Sequence, residues 1–210
     1  FLLERSGEVK PATVANDLSS IKGLVFHARV MWSMDLKTGY FEEVSLKAKN
    51  LNLVGKSKHR DVRPTLTELA KIMAYYDRPK KQSRGDSCKK PIPMHILIPF
   101  QIFSTRRSAE TTRILWTDLE IENKRVLVRD MKDPRGSKGN HKWCNLSDEA
   151  LAIILAQPRT DKRIFPYNHR SVETSWARAR EWARMEHINY HDLRHEGTSW
   201  LFETGLPIHH

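Results

Sequence analysis

The stretch YHDLRHEGTSWLFETG, residues 190–205, places three ionisable side chains at helical spacing near the end of a 210-residue chain. Residues three and four apart lie side by side on a helix, so His191, Arg194 and His195 are predicted to share one face. Positive groups held this close repel one another. The stretch therefore predicts either a site for a negatively charged ligand or a solvated helix surface, and the rest of the chain has to distinguish the two.

The charge balance of the whole chain favours a negatively charged partner. It contains 36 Lys and Arg residues against 25 Asp and Glu residues, which gives a net charge of +11. Such a charge suits a polyanion such as nucleic acid. No apolar run is long enough to span a bilayer, and no basic amphipathic helix has a clean apolar face, so a membrane partner is not expected.

Cysteine and histidine usage argues against a metal site. Cys88 and Cys144 lie far apart and form no C-x-x-C pair, so neither a zinc ribbon nor a disulfide framework is indicated, and a reducing cytoplasm fits best. His191 and His195 have a spacing that can chelate zinc, but there is no H-E-x-x-H order and no cysteine ligand nearby. The chain begins at Phe1 without a signal peptide, which indicates a fragment of a longer protein.

The first 57 residues are predicted to form a small helical domain. An apolar stripe at alternating steps of four and three predicts a core-forming helix; its members are Val14, Leu18, Ile21, Val25, Ala28 and Trp32. Another helix is expected within residues 36–50. The following LVGKSKHRDVRP, residues 53–64, crowds basic side chains between Gly55 and Pro64, so residues 58–64 are interpreted as a basic linker. It is either a solvated connection or a phosphate contact.

Residues 65–210 are predicted to form a second, larger domain. Thr65 and Glu68 form a capping box that starts a helix reaching about Tyr76. The remaining predicted elements are a buried helix at HILIPFQIF (95–103), a hairpin of strands 125–132 and 141–146 around DPRGSKGN, a helix capped by Ser147, a helix over 171–185 and a last helix ending at Gly205. The expected fold class is mainly α with a small antiparallel β-sheet.

Three groups in this second domain carry candidate chemistry. Arg107 and Glu110 lie three residues apart on a predicted helix, which by itself indicates only a weak surface salt bridge. Lys132 ends a predicted strand, where lysines usually face solvent. His191 and Arg194 form an H-x-x-R pair on the last helix. No single group among these distinguishes a catalytic site from a solvated surface.

The order of these groups along the chain resembles the tyrosine recombinase family, the phage-type integrases. The matching stretches are STRRSAETTRILWTDLE (104–120), VRDMKDPRGSKGN (128–140) and YHDLRHEGTSWLFETGL (190–206). Residues 1 to about 60 are similar to the helical core-binding domain of that family, and residues 65 onward are similar to its catalytic domain. The resemblance implies a tyrosine-recombinase-like catalytic domain.

The resemblance also implies a reaction. A tyrosine hydroxyl attacks a DNA phosphate, the 5′ oxygen leaves, and a 3′-phosphotyrosine link keeps the strand ready for rejoining, without a metal or other cofactor. Arg107 and Arg194 would bind the phosphate, since a guanidinium offers two parallel donors. Lys132 would protonate the leaving oxygen, Glu110 would orient Arg107, and His191 would be a proton-transfer partner. Further DNA contacts are expected at Lys56, Lys58, Arg60, Arg63 and Lys138.

The nucleophilic tyrosine of the family cannot be placed in this chain. The sequence reaches His209 and His210 directly after GLPI, and Tyr190 is predicted to be a packed aromatic rather than a nucleophile. The leading expectation is a site-specific recombinase whose tyrosine lies outside these residues; the alternative is an integrase relative that binds DNA without cutting it. The expected partners are double-stranded DNA and other recombinase protomers, four on DNA in the family, in a bacterial cytoplasm or nucleoid.

Overall fold

The structure is a computed structural model that describes residues 1–57, 60–79, 91–132 and 139–205. The chain divides into two compact units, residues 1–60 and 61–210. This division lies within the segment that the sequence analysis interprets as a basic linker.

The first unit is helical and consists of α1 (Leu2–Glu8), α2 (Pro11–Met31) and α3 (Tyr40–Asn50). Pro11 begins α2, because its fixed φ suits a first helical turn whose amide has no helical partner. Arg5 Nε and Asp17 Oδ2 lie 2.9 Å apart and join α1 to α2.

The predicted apolar stripe of α2 is only partly buried. Val14 and Ala28 are buried, but Ile21 and Trp32 are exposed, so the prediction of one continuous core-facing stripe is wrong. Large apolar residues also occupy the other faces of α2, and the exposed members include Leu24, Phe26, Val30 and Met31. When apolar residues occur on every face of a helix, the sequence periodicity cannot indicate which face is buried.

The second unit is mainly helical with one small antiparallel sheet, which confirms the predicted fold class. Its helices are α4 (Leu66–Met73), α5 (Met94–Ser104), α6 (Ser108–Thr111), a 3-10 turn (Trp116–Asp118), α7 (Asp148–Leu155), α8 (His169–Trp182) and α9 (Asp192–Glu203). Its strands are β1 (Leu119–Glu120), β2 (Arg125–Val128) and β3 (Lys142–Asn145), in the order β1-β2-β3.

Side-chain caps determine where several of these helices begin. The Thr65 hydroxyl accepts from the Glu68 amide at 3.2 Å and the Glu68 carboxylate accepts from the Thr65 amide at 2.8 Å, as the capping-box pattern predicts. The α8 helix starts two residues before the predicted Ser171, because Asn168 Oδ1 accepts from the Arg170 amide at 2.9 Å and caps it there.

The hairpin is shorter than the sequence predicts and has an additional strand. The β2 strand ends at Val128, rather than at Lys132, because Asp130 adopts a positive φ of 47° and interrupts the extended backbone. Pairing resumes beyond it, where the Met131 amide donates to the Asn140 carbonyl at 2.8 Å. Lys132 therefore follows directly after the last described pairing of the hairpin.

The core of the second unit is built around α5. Leu97 and Phe100 are fully buried, and the Phe100 ring lies 4.6 Å from that of Phe165. The α9 helix touches the α5 backbone at Gly197, where an added Cβ would lie 1.9 Å from the carbonyl oxygen of Ile102. Only glycine permits this approach. The contact holds α9 against the end of α5, where the two arginines of the STRR segment follow.

Candidate active site

A tight turn at the end of α5 presents Arg106 and Arg107. Ser104 is the last helical residue, and Thr105 takes a left-handed conformation with a φ of 52°. The buried Gln101 side-chain amide donates to the Arg106 carbonyl and so links the turn to α5. A β-branched residue in this conformation carries local strain, which is common where backbone positions functional groups.

Arg107 is the N-cap residue of α6, so the prediction that it lies on a helix with Glu110 is wrong. Its backbone is extended, with φ −74° and ψ 151°, because the helix starts only at Ser108. The buried Glu110 carboxylate accepts from the Arg107 amide at 3.1 Å and from its guanidinium Nη1 at 2.7 Å. One carboxylate thus orients both the backbone and the side chain of Arg107, whose side chain stays 37% exposed.

The half-buried Arg194 projects from the first turn of α9. Its Nη1 is buried and has no hydrogen-bond partner among the described residues. Burial lowers the pKa of Arg194, and the positive charges of Arg106 and Arg107 lower it further. An unpartnered buried donor is costly, and three neighbouring guanidinium groups repel one another. An anion with several acceptor oxygens would relieve both penalties.

His191 and Arg107 line the same small cleft. The cleft has a volume of about 190 Å³, and its walls are formed by Gln101, Arg107, Ser108, Ala109, Glu173, Tyr190 and His191. His191 is the N-cap residue of α9, and its ring lies 5.3 Å from that of His195 at nearly a right angle. The predicted first arginine box and H-x-x-R pair therefore meet at one place in the structure.

The pKa of His191 is lowered from its ordinary value of 6.5. Partial loss of hydration at the cleft is the largest cause, followed by the charges of His195, Arg194 and Arg107. A lowered pKa keeps the imidazole neutral at pH 7, where a ring nitrogen can accept a proton.

Replacing His195 with glutamine is expected to raise the pKa of His191, because one positive neighbour is removed. The titration of the His191 ring protons, followed by NMR from pH 4 to 9, measures this shift. The matched control is His187→Gln, since His187 binds Glu68 at 2.9 Å elsewhere in the unit and its loss should leave the His191 titration unchanged. An unchanged or lowered His191 pKa in His195→Gln would contradict this account of the cleft.

Arg106 is a site residue that the sequence analysis missed. Its guanidinium donates to the Ser104 carbonyl at 2.9 Å, to Thr105 Oγ1 at 3.1 Å and to Cys144 Sγ at 2.8 Å. Cys144 belongs to β3, so this contact joins the hairpin to the turn that carries Arg107. The sequence signals Arg106 only as the first member of the Arg106-Arg107 doublet.

Lys132 is exposed, and its predicted role as a general acid stays a prediction. It lies one residue beyond Met131, whose carbonyl also accepts from the Asn140 side chain at 3.3 Å. The contact between Cys144 and Arg106 places β3 of the hairpin beside the arginines. Lys132 follows the paired part of the hairpin and is exposed to solvent.

The predicted DNA contacts lie in different surroundings. Lys56 and Arg60 are exposed, whereas Lys58 and Lys138 lie outside the described residues. Arg63 is held by two carboxylates of α9, with Nε 2.5 Å from Glu196 and Nη1 2.6 Å from Glu203. An arginine engaged in this way has fewer donors left for a phosphate than a free one.

Tyr190 is packed in the core of the second unit. Its ring meets Trp176 edge-on at 5.7 Å, and its hydroxyl donates to the Leu97 carbonyl at 3.4 Å. Burial raises the pKa of Tyr190 well above its ordinary value. This phenol is therefore both inaccessible and hard to ionise, as expected for a packed aromatic.

The described part of the chain offers neither a metal-binding cluster nor a membrane-spanning helix. No cluster of three or more His, Cys, Asp or Glu side chains there is arranged to hold a metal ion. No described helix is long and apolar enough to cross a membrane.

Comparison with known proteins identifies the family. Residues 63–210 match the phage integrase family. The chain belongs to this family. The resemblance to the tyrosine recombinases is therefore confirmed.

Individual integrase relatives share modest sequence identity with the chain. It is 24% identical over 216 aligned residues to the integrase of Salmonella phage P22, covering 94% of this chain and 49% of that protein. It is 22% identical to the shufflon-specific DNA recombinase of Escherichia coli, covering 92% of this chain and 44% of that protein. The chain thus spans about half the length of the curated relatives it matches.

Solved integrase structures share the fold. A lambda integrase dimer bound to a COC′ core site has a TM-score of 0.65 at 15% identity, with 97% of this chain and 56% of that chain covered. The Tn1549 transposon integrase in complex with transposon right-end DNA has a TM-score of 0.59 at 14% identity, covering 98% and 71%.

Proposed function

We propose that the protein containing this chain is a site-specific DNA recombinase of the integrase type, which cuts and rejoins DNA through a 3′-phosphotyrosine intermediate. The observation that carries the proposal is the meeting of Arg107, Arg194 and His191, with a buried Arg194 Nη1 that lacks a partner among the described residues. A protein that only binds DNA needs positive charge on its surface, not a half-buried donor beside two other guanidinium groups.

The proposed chemistry follows from what each side chain can do. A phosphate bound between Arg107 and Arg194 receives charge-assisted hydrogen bonds on its non-bridging oxygens. These donors stabilise the charge that develops on five-coordinate phosphorus, and they are already in place before the reaction. Glu110 holds Arg107 in the orientation this requires.

Two proton transfers complete the proposed cleavage step. The neutral His191 ring accepts the proton of the attacking tyrosine hydroxyl as its oxygen bonds to phosphorus. The bond from phosphorus to the 5′ oxygen breaks, and Lys132 donates a proton to that oxygen. Rejoining reverses both transfers. Tyr190 is not the attacking residue in this proposal, because it is buried and its hydroxyl donates to the Leu97 carbonyl.

Domain roles and partners are part of the same proposal. Residues 1–57 would form a core-binding domain, residues 58–64 a basic linker and residues 65–210 a catalytic domain. The substrate would be double-stranded DNA, bound by several recombinase protomers in a bacterial cytoplasm or nucleoid. The relative solved as a lambda integrase tetramer bound to a Holliday junction supports this assembly.

The DNA partner can be tested on the 210-residue chain itself. We expect its affinity for a DNA duplex to fall steeply with salt, with a slope of about −4 or steeper in log K against log salt, because about five Lys and Arg side chains displace counterions. Fluorescence anisotropy at several salt concentrations measures this slope. A flat response would contradict the DNA partner.

Cleavage requires a separate measurement. The full-length protein, incubated with duplex DNA carrying its recombination site, is expected to form a protein–DNA adduct that survives denaturation. Binding with a steep salt response but without any adduct would instead favour an integrase relative that occupies DNA without cutting it.

A further inference from the structure

We propose that Arg106 is a positioning residue that docks the lysine hairpin onto the arginine turn and thereby places Lys132 for protonation of the leaving oxygen. The lysine hairpin is β2, β3 and the adjoining residues 129–132 and 139–141; the arginine turn is residues 104–107. This inference rests on the proposed function and adds a residue to it. It is carried by the contact between Arg106 and Cys144.

One end of the Arg106 side chain is fixed to the turn itself. Its Nε donates to the Ser104 carbonyl and its Nη2 donates to Thr105 Oγ1. Gln101 holds this turn in place, because its buried side-chain amide donates to the Arg106 carbonyl. Because a guanidinium is a rigid plane, two bonds on one side determine where its third donor points.

The third donor of Arg106 reaches the hairpin. Nη1 lies 2.8 Å from Cys144 Sγ on β3. Cys144 pairs with Val126 of β2, which is fully buried, so β3 is also attached to the core through β2. Burial raises the pKa of the Cys144 thiol. The charged neighbours of the thiol include Arg106 and Arg194, so it lies close to both arginines.

Backbone pairings lead from Cys144 toward Lys132, with one interruption at Asp130. Val128 pairs with Lys142, and beyond them the Met131 amide bonds to the Asn140 carbonyl. Lys132 is the next residue after Met131. A shift of β3 relative to the arginine turn would therefore move the start of the lysine segment by a similar distance.

The bonds of Arg106 distinguish its role from that of a phosphate ligand. Nitrogens of its guanidinium bind protein atoms at three points, whereas Arg194 keeps a buried Nη1 without a described partner. A general acid must lie within hydrogen-bond reach of the oxygen it protonates, and a displacement of about 1 Å can cost up to about a hundredfold in rate. Arg106 can therefore affect the cleavage rate by positioning Lys132, without itself contacting DNA.

The test compares two leaving groups in the full-length protein. One DNA substrate has the normal 5′ bridging oxygen, and the other has sulfur there. A thiol has a pKa of about 8.5 and departs as a thiolate, so sulfur removes the need for the general acid. Lys132→Ala calibrates the assay: we expect a loss of about a hundredfold on oxygen and nearly native cleavage on sulfur.

Arg106→Met and Arg106→Lys are the decisive variants. Both should cleave the oxygen substrate about tenfold more slowly and the sulfur substrate within about twofold of the native rate. Arg106→Lys keeps the charge but lacks the planar group, so it should resemble Arg106→Met. Cys144→Ala should show the same selective loss, and Cys144→Ser, which keeps an acceptor, should retain most activity.

Other outcomes would overturn the inference. Equal losses on both substrates would mean that Arg106 acts on the phosphate itself or on the fold, and a native-like Arg106→Lys would mean that charge alone matters. Failure of the native protein to cut either substrate would instead overturn the proposed function. Hydrogen exchange on the 210-residue chain tests the docking separately, because in Arg106→Met the β3 amides should exchange several-fold faster while the α7 amides stay unchanged.

Discussion

Replacing Arg194 with alanine is expected to lower the rate of DNA cleavage by the full-length protein at least about a thousandfold. The half-buried guanidinium has a buried Nη1 without a described partner, and its neighbours include Arg107. In the proposed reaction its loss would leave the phosphate with one arginine, and water cannot supply an equally oriented charge. Arg107→Ala should have a similar effect, and the rate of adduct formation measures both.

The same variants should retain much of their DNA affinity, because most of the salt-dependent contacts involve other Lys and Arg side chains. Arg159→Ala is the matched control, since it removes the same charge from an exposed arginine that lies 4.7 Å above the ring of Trp116. It should cleave at close to the native rate. Native cleavage rates in Arg107→Ala or Arg194→Ala would show that these residues do not bind the reacting phosphate.

Replacing Gly197 with alanine is expected to lower the free energy of unfolding of the second unit by about 3 kcal/mol. The new methyl group would lie 1.9 Å from the Ile102 carbonyl oxygen and 2.8 Å from its carbon, so the backbones of α5 and α9 would have to separate. Backbone cannot rotate away as a flexible side chain can. Thermal unfolding should show a fall in Tm of about 6 to 12 °C.

Gly23→Ala is the control for this substitution. Gly23 also lies within a helix, α2, but an added Cβ there meets no atom within 4 Å. Alanine should therefore stabilise α2 by up to about 1 kcal/mol through its higher helix propensity. A Tm for Gly197→Ala within about 1 °C of the native value would disprove the close contact. Because α9 carries Arg194, the Gly197 variant should also lose cleavage, although glycine has no chemical role.

The sequence by itself determined most of the local structure and indicated the family. The capping box at Thr65, the Ser147 cap, the hairpin and the buried helix α5 each depend on residues within a few positions of one another. Periodicity, turn chemistry and capping act over that distance, and they can be recognised in a single chain. The order of Arg107, Lys132, His191 and Arg194 then indicated the family, which the comparison with phage integrases confirmed.

Tertiary structure alone decided how the site is assembled. Arg107 and His191 line one cleft although they are far apart in the chain, and Arg106 reaches Cys144 on a strand that the chain forms much later. The close approach of Gly197 to Ile102 is likewise a contact between distant segments. Such contacts depend on which surfaces fit together after the helices and strands have formed, and steric fit between distant segments leaves no periodic pattern in the sequence.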